Sequence, residues 1–75
     1  MGDEIRIVLA EDSLTVRRYL TTLIDSTPDM RVVGEAENGD EVVRLVATLQ
    51  PDVVSMDVNM PKVDGLEATR RIMAQ

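Results

Sequence analysis

Ile5-Arg6-Ile7-Val8-Leu9-Ala10-Glu11-Asp12-Ser13 is the stretch on which the fold turns. Ile5 to Ala10 is a short, β-branched run, apolar enough to fill a strand covered on both faces of a sheet. It stops at Glu11 and Asp12, and either Asp12 or Ser13 is placed to cap the first turn of a following helix. In that helix Val16, Leu20, Leu23 and Ile24 recur at helical spacing, and Pro28 comes shortly after its expected end. The rest of the chain repeats this unit. Met30 to Ala36 is a second strand, interrupted by Arg31, Gly34 and Glu35 as an edge strand tolerates. Asn38 caps a second helix with a stripe of Val42, Leu45, Val46 and Leu49; Asp40 and Glu41 complement its dipole and Pro51 stops it. Val53 to Met56 is a third strand. Asp57 follows, and the loop 58–64 leads through Gly65 into a third helix in which Leu66, Thr69, Ile72 and Met73 share a face.

The predicted elements are β1 5–10, α1 14–26, β2 30–36, α2 39–50, β3 52–57 and α3 65–74. Strand-then-helix alternation of this kind implies right-handed crossovers and a parallel sheet, an α/β fold in a single domain over 1–75. Composition narrows the chemistry. The 75 residues contain no Cys and no His, which excludes thiolate and imidazole metal sites, disulfides, and Ser-His-Asp or cysteine catalysis. The net charge of −6, with basic residues scattered, argues against nucleic acid and anionic membrane as partners. The Met-Gly-Asp-Glu start is acidic and no apolar stretch approaches membrane-spanning length, so a soluble, cytoplasmic chain is the expectation.

What remains is carboxylate chemistry. Glu11 and Asp12 end the first strand and Asp57 ends the third. In a parallel sheet these ends share one edge, where ligands bind at a topological switch point. Each acid alone reads as a cap or a turn residue; together they form a repelling cluster that calls for a cation, and an all-oxygen donor set suits Mg²⁺ or Mn²⁺. A backbone carbonyl near Asn59 could add a ligand. Asp57 could also act as a nucleophile toward phosphorus. Two other patterns fail: Gly34 and Gly39 have P-loop spacing but are followed by Asp40-Glu41, and Asp57-Val58-Asn59 lacks the second acid of a haloacid-dehalogenase-type phosphatase.

The residues Ile7-Val8-Leu9-Ala10-Glu11-Asp12-Ser13, Pro51-Asp52-Val53-Val54-Ser55-Met56-Asp57, Met60-Pro61 and Asp64-Gly65 resemble the receiver domain of two-component response regulators along the whole chain. Within that family the chain is most similar to the receiver of chemotaxis protein-glutamate methylesterase, through Val32-Val33-Gly34-Glu35-Ala36, Pro51-Asp52-Val53-Val54 and Gly65-Leu66-Glu67-Ala68-Thr69-Arg70-Arg71-Ile72-Met73. The resemblance implies a truncated flavodoxin-like (CheY-like) sheet. It makes Asp57 the phosphoacceptor, Glu11 and Asp12 the acidic pair that binds Mg²⁺, Asn59 a metal ligand through its backbone carbonyl, and a histidine kinase the phosphodonor. Glu11 stands where Asp is commoner.

A receiver has five such units in strand order 2-1-3-4-5, and the chain carries the N-terminal three. The switch Ser or Thr, the phosphate-pairing Lys and the switch aromatic have no match: Lys62 is the only Lys and Tyr19 the only aromatic, and neither falls at the family's positions. The resemblance places methylesterase activity outside these residues. A bare third strand and an uncovered sheet face give a further expectation, a homodimer or swapped assembly that completes the sheet. Two functions follow: the phosphoacceptor part of a signalling receiver, or a structural half-fold without signalling activity.

Overall fold

The computed structural model describes residues 4–57 and 65–74. They form β1 (Ile5–Ala10), α1 (Leu14–Asp25), β2 (Met30–Ala36), α2 (Gly39–Leu49), β3 (Val53–Met56) and α3 (Gly65–Met73). The strands make one parallel sheet in the order β2-β1-β3, so the most apolar strand takes the centre. The parallel sheet is as the strand-helix alternation predicts, and the order is the first part of the flavodoxin-like 2-1-3-4-5 that the receiver resemblance implies. Expectations that fall on 58–64, the Asn59 carbonyl among them, lie outside the described residues.

Helix ends differ from expectation by one residue, for local reasons. Ser26 is the C-cap of α1, its amide donating to the Thr22 carbonyl at 3.0 Å. Gln50 caps α2 in the left-handed region (φ 48°, ψ 61°), which ends the helix just before Pro51. Asp52 precedes β3 instead of opening it. Its carboxylate accepts from the Arg6 amide at 2.8 Å, its own amide donates to the Arg6 carbonyl at 2.9 Å, and Arg6 Nη1 reaches the Gln50 carbonyl at 3.1 Å.

One face of the sheet carries α2 and α3 over a core of Val8, Ala10, Ala36, Val42 and Ala68, flanked by Val33, Leu45, Val46, Leu49, Val54 and Met56. The expected α2 stripe is therefore the one that packs. Gly34 has a specific reason to lack a side chain: a Cβ there would stand 2.9 Å from Leu49 Cδ1 and 3.5 Å from Leu45 Cδ1. The β1–β2 register also steps at this point, Ile7 pairing with Val32 and Val8 with Gly34.

The inward faces of the other two helices depart from the sequence pattern. In α1 the half-buried residues are Arg17, Leu20, Thr21 and Ile24, whereas Val16 and Leu23 are 43% and 51% exposed. The helix is turned so that the long Arg17 stem lies inward and its guanidinium reaches the half-buried Glu11 carbonyl and the exposed Glu35 carboxylate. In α3, Gly65 and Ala68 are the buried residues, and Leu66 and Met73 are 71% and 79% exposed. Small residues let α3 approach α2 closely, and the larger apolar side chains are turned outward. Val16, Tyr19 and Leu23 thus form an exposed apolar stripe along α1, and Val53 on β3 is exposed as well. Among the described residues no helix is long and apolar enough to cross a membrane.

Candidate functional site

Hydrogen bonds that continue the ladder past the strand ends bring the acidic residues together. The Glu11 amide donates to the Ala36 carbonyl of β2, and the Asp57 amide donates to the Ala10 carbonyl of β1, both at 3.0 Å. Residues one step beyond β1 and β3 are thereby fixed side by side at the carboxyl edge. The capping question resolves in favour of Ser13. Its Oγ accepts from the Val16 amide at 3.3 Å, which leaves Asp12 to the edge. The Ser13 amide in turn donates to Glu11 Oε2 at 3.0 Å and holds that carboxylate over the turn.

Glu11, Asp12 and Asp57 each present a carboxylate oxygen such that all three lie within 4.8 Å of one another. Glu11 and Asp57 are half-buried and Asp12 is exposed. Three like charges this close repel, and a hard divalent cation with an all-oxygen preference is the ligand whose chemistry fits the donor set. The extra methylene of Glu11 does not carry its carboxylate away from the cluster.

One residue of the site escaped the sequence reading. Arg17 Nη1 donates to the Glu11 carbonyl at 2.7 Å and its Nε donates to Glu35 Oε1 at 3.2 Å, with the side chain 12% exposed. The signal was a cation one turn beyond the Ser13 cap, on the side of α1 that leads back to β1. Farther away, Glu67 of α3 accepts from Arg70 and Arg71, and Arg71 also reaches Asp40 of α2. Hydrogen bonds from Arg70, then from Arg71, hold the Glu67 carboxyl down at about 2.

A three-stranded parallel sheet with an acidic cluster at its carboxyl edge defines a flavodoxin-like α/β protein with a candidate cation site. The chain belongs to the response regulator receiver domain family, which matches residues 7–75. It is 52% identical over 74 residues to protein-glutamate methylesterase/protein-glutamine glutaminase 4 of Myxococcus xanthus, covering 99% of this chain and 21% of that protein. It is 42% identical over 73 residues to the methylesterase/glutaminase of Pyrococcus horikoshii, covering 97% and 20%. The response regulator domain of Thermotoga maritima CheB superposes with a TM-score of 0.94 at 44% identity, over 96% of this chain and 54% of that one. The CheX–CheY–BeF3–Mg²⁺ complex of Borrelia burgdorferi superposes with a TM-score of 0.82 at 26% identity, over 93% and 53%. The chain thus spans about a fifth of the curated relatives it matches and about half of these solved chains.

Proposed function

We propose that the chain is the phosphoacceptor portion of a chemotaxis-type receiver, with Asp57 as the residue that takes the phosphoryl group. The observation that carries this reading is the convergence of carboxylate oxygens from Glu11, Asp12 and Asp57 within 4.8 Å. These three residues, with the Asn59 backbone carbonyl, are the proposed ligands of Mg²⁺ or Mn²⁺. The bound cation would neutralise phosphoryl oxygens and offset the charge of the cluster. An Asp57 carboxylate oxygen attacks phosphorus in line as the phosphorus–nitrogen bond of a histidine kinase phosphohistidine breaks, and the bonding pair leaves with the imidazole nitrogen. The similarity to CheB receivers supports a chemotaxis setting, and a histidine kinase phosphodonor is consistent with a cytoplasmic location, which is part of the proposal. Protein-glutamate methylesterase activity belongs, on this proposal, to a longer parent protein.

Intact mass after incubation with Mg²⁺ and a small phosphoramidate tests the reading. Addition of one phosphoryl group to the wild type, absent from Asp57→Asn and from wild type in chelator, is the expected result. No adduct under any of these conditions would sink it.

A second reading, a half-fold that homodimerises or swaps to complete its sheet, is favoured by one observation. Val16, Tyr19, Leu23 and Val53 expose apolar side chains. A compact, cooperatively melting monomer in sedimentation at micromolar concentration would exclude it.

A further inference from the structure

An acidic cluster needs its main chain held as well as its side chains, and the polar groups of Glu11 show how this is done. Its amide donates to the Ala36 carbonyl, its carboxylate accepts from the Ser13 amide, and its carbonyl accepts from Arg17 Nη1 at 2.7 Å. That carbonyl belongs to the peptide joining Glu11 to Asp12. The guanidinium therefore grips the unit linking two of the three clustered acids. Its other contact is Glu35 of β2, the neighbour of Ala36, with Nε to Oε1 at 3.2 Å. Arg17 thus ties α1, the Glu11–Asp12 peptide and the end of β2 into one frame. The Arg17 side chain is 12% exposed and that of Glu35 is 40% exposed, so the contact to the Glu11 carbonyl is the better shielded of the two.

We propose that Arg17 is a positioning residue for the cation site, fixing the Glu11–Asp12 peptide so that the carboxylates hold the spacing a divalent ion requires. This rests on the cluster being the cation site of the proposed function. Two effects of Arg17 oppose each other. Its charge, partly offset by Glu35, disfavours a cation nearby, while its hydrogen bonds favour one by preorganising the ligands. Outer-shell partners of metal ligands are generally worth about 10- to 100-fold in affinity, and on this magnitude positioning outweighs the screened repulsion.

The substitutions Arg17→Met and Arg17→Lys separate the two effects. Met removes charge and both hydrogen bonds, whereas Lys keeps the charge but cannot reproduce a planar two-contact fork. Calorimetric titration of the metal-free protein with MgCl₂, beside thermal melts of each variant without metal, is the measurement. Both variants are expected to bind Mg²⁺ about tenfold or more weakly than wild type. Tighter binding by Arg17→Met with unchanged binding by Arg17→Lys would assign Arg17 a purely electrostatic effect and overturn the proposal. Lower melting temperatures with unchanged Mg²⁺ affinity would assign it a structural role only and overturn it too. If Arg17→Met does not fold, Arg17→Lys and Glu35→Gln decide, the latter expected to weaken Mg²⁺ binding less than either Arg17 change because the Glu11 carbonyl contact stays. Glu35→Gln binding as weakly as Arg17→Lys would overturn the assignment of the Glu11 contact as the operative one. A wild type that takes up no Mg²⁺ would refute the cation site itself, a result distinct from variants that bind as well as wild type.

Discussion

Removing one carboxylate from the edge cluster should stabilise the metal-free protein, and the geometry sets the size of the effect. The three ligand oxygens lie within 4.8 Å of one another. At that separation two unit charges repel by about 3.5 kcal/mol at an effective dielectric of ~20 and about 0.9 kcal/mol at that of water. Glu11 and Asp57 are half-buried, so their pair lies between these limits, at about 2 kcal/mol; pairs with exposed Asp12 lie near the lower one. Asp57→Asn removes one pair of each kind, about 2–3 kcal/mol in all, which for a domain of this size raises the melting temperature by on the order of 10 °C. Scanning calorimetry in chelator at low salt should show that rise, and raising the salt should shrink it. Mg²⁺ should narrow the gap from the other side. At ten times its Kd it stabilises the wild type by about 1.4 kcal/mol, while the variant, one ligand short, gains less. Equal melting temperatures in chelator at low salt, or a difference indifferent to both salt and Mg²⁺, would refute the reasoning.

Three further outcomes are expected. Asn38 is buried and its Oδ1 accepts from the Glu41 amide at 3.0 Å, so Asn38→Ala should lower stability by about 1–2 kcal/mol in urea unfolding. Gly34→Val forces methyl groups into the space held by Leu49 and Leu45 and should cost about 2 kcal/mol by the same assay. Glu67 has its carboxyl depressed from 4.5 to about 2, so the stability it adds is fully present above pH 4.5 and is lost as pH falls toward 2. Wild type and Glu67→Gln should therefore differ in melting temperature near neutrality and converge at the acid end of that range.

The fold was legible where one residue property decided the local outcome. A mostly apolar run made β1 the central strand, and the α2 stripe from Val42 to Leu49 faces the core because it is the most apolar side of that helix, with Val43 packing at its margin. Where a helix carries more apolar residues than its contact face can take, the pattern misleads. In α1 Arg17 and Thr21 share the inward face with the expected Leu20 and Ile24, and in α3 Gly65 and Ala68 are buried, so that Val16, Leu23, Leu66 and Met73 were turned outward. The hydrogen bonds of Arg17 and the small size of Gly65 and Ala68 favour those faces, and hydropathy reports neither; nothing in the structure explains the inward Thr21, whose Oγ1 is buried without a partner among the described residues. The acidic cluster was legible because parallel strand ends share an edge whatever the side-chain detail. Arg17 was not, because a lone cation on a surface helix looks solvated until the carbonyl it grips is seen.

The short third strand has a kinetic consequence. Asp57 sits at the end of β3, which pairs with β1 only over Val53–Met56, while Glu11 and Asp12 belong to the end of a β1 that is also paired along Met30–Ala36. Two of the three acids therefore stay in place when β3 opens, and the third leaves with it. A cation held by Glu11, Asp12 and Asp57 would act as a latch on that strand, tying β3 to the better-paired end of β1. Amide exchange in β3 should slow on adding Mg²⁺ far more than in β2, making the youngest strand of the sheet the one that senses the ion.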